Sequence, residues 1–120
     1  MIQTGDLRAG NYVKTVLVNS QGKKEKKILL LSARLIAEIE AGKREVWPIE
    51  LMDAWLLRFG FTFNESFHHF LLTPAWLIHE KEGWYFMQSS VRLNRYAILY
   101  VHQFQNMFYA FTGEDLLLRK

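Results

Sequence analysis

The sequence predicts a single α+β domain over 1–120. The expected order is an N-terminal antiparallel β-meander, with an SH3-like twist as one form of it, then a helix, a β-hairpin and a C-terminal helix packed on the sheet. Three observations carry this. Tyr12 to Val18 is rich in Val, Thr and Tyr and lies between turn signals. Ile49, Met52, Trp55, Leu56 and Phe59 recur at helical spacing. Val101, Phe104, Phe108 and Phe111 do the same near the C-terminus.

Gly10-Asn11 turns the chain into the first strand, and Asn19-Ser20-Gln21-Gly22 turns it out again. Ile28 to Leu31 is an apolar run with β character. Ser32 to Glu40 is ambiguous. Ala33, Leu35, Ala37 and Ile39 alternate as a strand does, whereas Leu35, Ile36 and Ile39 fit a helix. The strand reading is preferred, because with a short strand at Arg44 to Trp47 it completes the meander.

Pro48 suits a first helical position, and Glu50 and Asp53 suit the positive end of a helix dipole. The expected helix runs over 48–59, with Arg58 in its last turn and Gly60 as its stop. His68 to Leu72 reads as a strand. Trp76 to Glu80 and Trp84 to Gln88 flank Lys81-Glu82-Gly83, a hairpin signal. Arg95 to Tyr100 and Glu114 to Leu118 are the remaining strand candidates.

Composition narrows the classes. Half the residues are hydrophobic and 15% are aromatic, which argues against disorder. No apolar run approaches the ~18 residues of a membrane span. Met1-Ile2-Gln3-Thr4-Gly5-Asp6 lacks the basic and apolar regions of a signal peptide, and the chain has no cysteine. A cytoplasmic protein is expected. The net charge is +3 and unevenly spread, with nine Lys/Arg against five Asp/Glu over 1–47. Much of that excess is Lys23, Lys24, Lys26 and Lys27, which reads either as a solvated hairpin tip or as a phosphate- or acid-binding element.

The segment Val101 to Thr112 holds no charged residue, although 22% of the chain is charged. Opposite its apolar stripe stand His102, Gln105, Asn106 and Tyr109, four neutral hydrogen-bonding side chains on one helix face. A helix apolar on one side and uncharged on the other is expected to be covered on both. Three covers are open: the rest of this chain, with the four residues satisfying buried backbone groups; a second copy or a partner; or a small ligand.

The other candidates are thinner. Adjacent His68 and His69 on a strand point to opposite faces, so with His79 they make a poor metal set, and no cofactor is expected. Glu80, Glu82, Glu114 and Asp115 lie near turns with nothing to fix a catalytic pair. Ser32, Ser66, Ser89 and Ser90 lack a nucleophile-elbow setting. Arg92, Arg95, Tyr96, Trp84 and Tyr85 combine charge with stacking surface, as single-strand binders do, although aromatics in strands usually fill cores.

Three segments together resemble a family of small uncharacterised proteins of Bacteroidetes genomes and their phages. They are Asp6-Leu7-Arg8-Ala9-Gly10-Asn11-Tyr12-Val13, Pro48-Ile49-Glu50-Leu51 with Trp55-Leu56-Leu57-Arg58-Phe59-Gly60-Phe61, and Tyr100-Val101-His102-Gln103-Phe104-Gln105-Asn106 continuing to Thr112-Gly113-Glu114-Asp115-Leu116. The chain departs from that pattern at Met52, where the family places a helix-capping Thr. The resemblance implies no activity and no site. It implies a bacterial or phage setting among mobile genes.

The functional expectation is a non-catalytic binding or inhibitor protein, with a homodimer as one assembly. In the mobile-gene setting the partner is expected to be a host protein or ribonucleoprotein effector, blocked as anti-CRISPR proteins block theirs. The alternative is a small RNA- or DNA-binding module using Lys23, Lys24, Lys26, Lys27, Arg92 and Arg95. An enzyme is the third and most distant class.

Overall fold

Two antiparallel sheets and a C-terminal helix organise the chain. The structure, a computed structural model, describes residues 4–65, 69–72, 75–88 and 91–118. Strands β1 (Tyr12–Val18) and β2 (Lys24–Leu30) form a two-stranded hairpin. Helices α1 (Ala33–Glu40) and α2 (Asp53–Arg58) follow. Then β3 (Thr62–Asn64), β4 (His69–Leu72), β5 (Ala75–Glu80), β6 (Gly83–Gln88) and β7 (Val91–Arg92) pair in sequence order as a five-stranded antiparallel sheet. Helix α3 (Val101–Thr112) closes the fold. The α+β class and the packing of the last helix on the sheet are as the sequence predicts.

The meander and the SH3-like twist are corrected: among the described residues there is no barrel, and the N-terminal sheet has two strands. Residues 33–40 are helical because Ser32 caps them. Its Oγ accepts the Leu35 N–H at 3.2 Å. The helix buries Ile39 beside Leu7, Val13, Leu31 and Val46, with Leu35 and Ile36 packed against them. The 3.6-residue stripe thus prevailed over the alternation. The expected strand at 44–47 is one bridge, Lys14 to Trp47.

The helix expected over 48–59 begins only at Asp53. Residues 49–51 are instead extended, because the chain before α3 takes their backbone groups. Leu51 N–H donates to Leu99 O, Val101 N–H donates to Ile49 O, and Glu50 bridges Tyr100. Met52 stands at the N-cap and supplies no side-chain bond, as its thioether chemistry dictates. The interior stripe survives in part: Trp55, Leu56 and Phe59 are buried while Met52 is exposed.

Two further strand expectations are corrected. Among the described residues, 95–100 make two isolated bridges, Ile98 to Trp84 and Tyr100 to Glu50. Buried Asn94 turns the chain there, accepting the Phe86 N–H and donating to Trp84 O and Tyr96 O. Residues 114–118 are irregular and are held by side chains, as described below.

The main core lies between the five-stranded sheet and helices α2 and α3. Phe59, Phe61, Phe86, Phe104 and Phe108 stack and tilt against one another at 5.3–6.5 Å. Trp84 donates its indole N–H to Leu51 O, tying the sheet to the extended segment. Gly83 has φ +145°, and a Cβ there would lie 2.7 Å from Ile98 O, so only glycine admits this approach. Helix α3 ends at Gly113, whose φ of 75° is the left-handed conformation that glycine adopts without a Cβ penalty.

Candidate functional site

The polar stripe of α3 folds the chain's own ends onto the core. Gln105 is buried, and its Oε1 accepts the Tyr12 N–H at 2.8 Å. Its Nε2 donates to Gly10 O at 2.8 Å and to Leu116 O at 3.0 Å. Asn106 Oδ1 accepts from Asn11 Nδ2 and Arg8 Nη1, and its Nδ2 donates to Asp6 O. The two amides thus bind both the segment entering β1 and the tail beyond Gly113. Of the three covers left open by the sequence, the structure places the rest of this chain over both amides.

Tyr109 is the exposed member of the four, and the Arg8 guanidinium sits 4.1 Å from its ring centroid. Arg8 also pairs with Asp115 at 2.8 Å. His102 is buried, its ring stacked on Tyr100 at 6.1 Å. Its Nδ1 has no hydrogen-bond partner among the described residues. Burial pushes the imidazole below its ordinary proton affinity, and the Asp6 carboxylate partly offsets this. The sequence marks Asp115 only as a carboxylate near a turn and Asn11 only as a turn residue, and it assigns Arg8 no contact. Charge spacing could not have paired Arg8 with a residue more than a hundred positions away.

The lysines lie on the β1–β2 arm. Its register pairs Val18 with Lys24, Val16 with Lys26 and Lys14 with Ile28, which places these six on one face. Lys27 lies opposite Thr15 on the other face, and Lys23 precedes β2. Asn19 shapes the tip, its Oδ1 accepting the Gln21 and Lys23 N–H groups. Glu25 accepts from Asn19 Nδ2, and among the described residues none of the four lysines has a carboxylate partner. Beyond Thr15 every residue of β1 is exposed, so the strand leaves the body of the protein there. Val16, Leu17, Val18, Ile28 and Leu30 are all exposed, from 37% at Val16 to 65% at Val18.

Arg92 and Arg95 are elsewhere. Arg92, in β7, pairs with Glu80 and lies 4.2 Å from the Tyr85 ring centroid. Arg95 lies 5.5 Å from the exposed Tyr96 ring. They belong to the five-stranded sheet and the loop after it, whereas the lysines belong to the hairpin. The structure therefore divides this set of cations between two sheets.

His79 stacks on Trp84 at 4.3 Å and lines a cleft with Glu50 and Tyr100. His68 lies outside the described residues, as does the side chain of His69. Among the described residues no group of three His, Asp or Glu is placed to hold a metal. Of the carboxylates, Glu80 and Asp115 are engaged by arginines, and Glu82 and Glu114 are exposed. Ser32 caps α1, while Ser66, Ser89 and Ser90 lie outside the described residues. No helix among the described residues is long and apolar enough to cross a membrane. No protein-family model, curated protein or solved structure matches this chain.

Proposed function

We propose that this is a non-catalytic protein-binding module whose recognition element is the β1–β2 arm, with an acidic partner. The carrying observation is that one arm holds both five exposed aliphatic side chains and lysines that have no carboxylate partner among the described residues. Between Tyr12 and Leu30 the chain has five lysines and one glutamate. Exposed apolar groups rimmed by charge suit a protein surface, which buries them on contact. Phosphates reward the lysines alone, and a single-strand binder would present aromatics in place of Val16, Leu17, Val18 and Ile28. The polar amides of α3 serve the protein's own fold, which moves the interface expected on that helix to the arm. Counter-defence against a host immune effector rests on the sequence resemblance alone and names the partner class to test first.

The test is site-specific photocrosslinking from Leu17 in native-host extract, comparing wild type with the quadruple variant Lys23→Glu, Lys24→Glu, Lys26→Glu, Lys27→Glu. A specific protein adduct, insensitive to nuclease and lost in the variant, is expected. An adduct consisting of nucleic acid, or the same protein adduct in both forms, would sink the reading.

A further inference from the structure

The geometry points to strand addition: the outer edge of β1 at Val16 and Val18 takes up an extended acidic peptide segment as a third strand. This rests on the arm being the binding element and specifies how it binds.

The direction of the β1 backbone groups follows from alternation. Lys14 N–H donates to Trp47 O at 3.0 Å, and Trp47 N–H donates to Lys14 O at 2.8 Å. The N–H and C=O of Lys14 thus point away from β2. In an antiparallel pair every second residue does the same, so those of Val16 and Val18 also point outward. Tyr12 agrees, since its N–H goes outward to Gln105. Among the described residues, nothing outside the hairpin bonds the backbone of Val16 or Val18.

The chain itself begins this third strand and then abandons it. Trp47 pairs with Lys14, and Thr15 Oγ1 donates to Glu45 O at 3.0 Å. Beyond that the chain leaves the edge toward α1, where Lys43 N–H donates to Glu38 O. A groove opens where the strand would have continued, between Val16 to Val18 on one side and Lys43 to Glu45 on the other. An extended segment laid there continues the line of Trp47 and satisfies the outward groups, which is how exposed sheet edges capture peptides.

Charge selects the occupant. Lys24, Lys43 and Arg44 line the groove with Glu38 and Glu45. Arg44 and Glu38 neutralise each other at 2.8 Å. Lys24 and Lys43 have no carboxylate partner among the described residues, so two cations face Glu45 alone. Lys26 shares the face of Val16 and adds to the positive side. The complementary segment alternates acidic and small apolar side chains.

The probe is a fluorescent peptide of alternating Glu and Val, titrated by anisotropy, with its Lys-Val counterpart as control. Val16→Pro and Val18→Pro each delete one outward N–H and leave the ladder to β2 intact, a placement edge strands accept. Wild type is expected to bind the acidic peptide and not the basic one. Each proline variant, with a native amide spectrum, is expected to bind about tenfold more weakly or worse. Should the proline variants unfold, methylating the peptide's central backbone nitrogens must abolish binding to wild type. Strand addition is overturned by undiminished binding to a folded proline variant, by binding that tolerates backbone methylation, or by no binding at about 1 mM peptide. An oligonucleotide that displaces the peptide and binds the proline variants undiminished also overturns it. If the lysine variant loses its crosslinked partner while the proline variants keep theirs, the arm stands as the binding element and strand addition falls.

Discussion

Gln105 holds Tyr12 by a single bond, side-chain Oε1 to backbone N–H at 2.8 Å, across 93 residues of sequence. That bond is the first outward contact of β1, one residue pair before Trp47 takes the edge over. The same amide reaches Gly10 and Leu116, so one side chain joins the start of the arm to the tail after α3. Helix α3 therefore anchors the base of the arm, and the arm's distal half is left to solvent.

Replacing Gln105 with Met keeps the size and removes all three bonds. The bonds to Tyr12 and Leu116 are buried, and each stranded backbone group costs ~1–3 kcal/mol. Urea denaturation should show a loss of at least ~2 kcal/mol. A loss within experimental error would mean that water replaces the amide and that the clamp is incidental.

Asn106 and Tyr109 should separate. Asn106→Leu strands the Nδ2 donor of Asn11, a residue 1% exposed, and should cost ~1–3 kcal/mol. Tyr109→Ala removes an exposed cation–π contact with Arg8 and should cost ~0.5–1 kcal/mol. Thermal melts with light scattering check both. The reverse order, or a smaller particle for Tyr109→Ala, would return this helix face to an interface between molecules.

Trp55→Ala tests the core at α2. Trp55 packs against Tyr12 at 5.7 Å and Phe59 at 5.8 Å, so its loss opens a cavity beneath the arm's first residue. Such truncations cost ~3–5 kcal/mol, a large part of a usual domain stability of ~5–15 kcal/mol. A melting temperature close to wild type would contradict the packing described.

What the sequence made legible was local. Lys81-Glu82-Gly83 between two aromatic-rich runs identified the β5–β6 hairpin, and the stripe Val101, Phe104, Phe108 and Phe111 identified α3. The failures were contests between two structures for the same residues. Pro48 and Glu50 suit a helix start, but the backbone of residues 49–51 is claimed by Leu99, Tyr100 and Val101, half a chain away. Ser32 is a capping residue whose signal was outweighed by the alternation that follows it. The four polar residues of α3 were found as a group. Their partners were not: Gly10, Tyr12 and Leu116 are engaged through backbone atoms that no side-chain pattern reveals, and Arg8 and Asn11 lie about a hundred residues away. The arm's lysines were legible. Its edge was not, since that depends on where the chain at Trp47 stops following β1.

His102 should make the protein acid-sensitive. In the unfolded chain its imidazole titrates near 6.5, whereas burial lowers it in the folded state despite the nearby Asp6 carboxylate. Below about pH 6.5 the unfolded chain therefore binds more protons than the folded one, and stability rises with pH across that window. Stability from this group is complete above the unfolded value and is lost as pH falls through the folded one. Stacked on Tyr100 with Nδ1 unpartnered, the neutral ring fits the site, and the imidazolium would be a buried charge balanced only by Asp6 from a distance. His102→Phe keeps the stack and cannot titrate, so its stability should depend less on pH below about 6.5 than wild type. Asp6→Asn removes the offsetting charge and should move the His102 midpoint lower still. An NMR titration of the His102 ring protons in both backgrounds decides it, and a wild-type midpoint at or above about 6.5 would refute the desolvation argument.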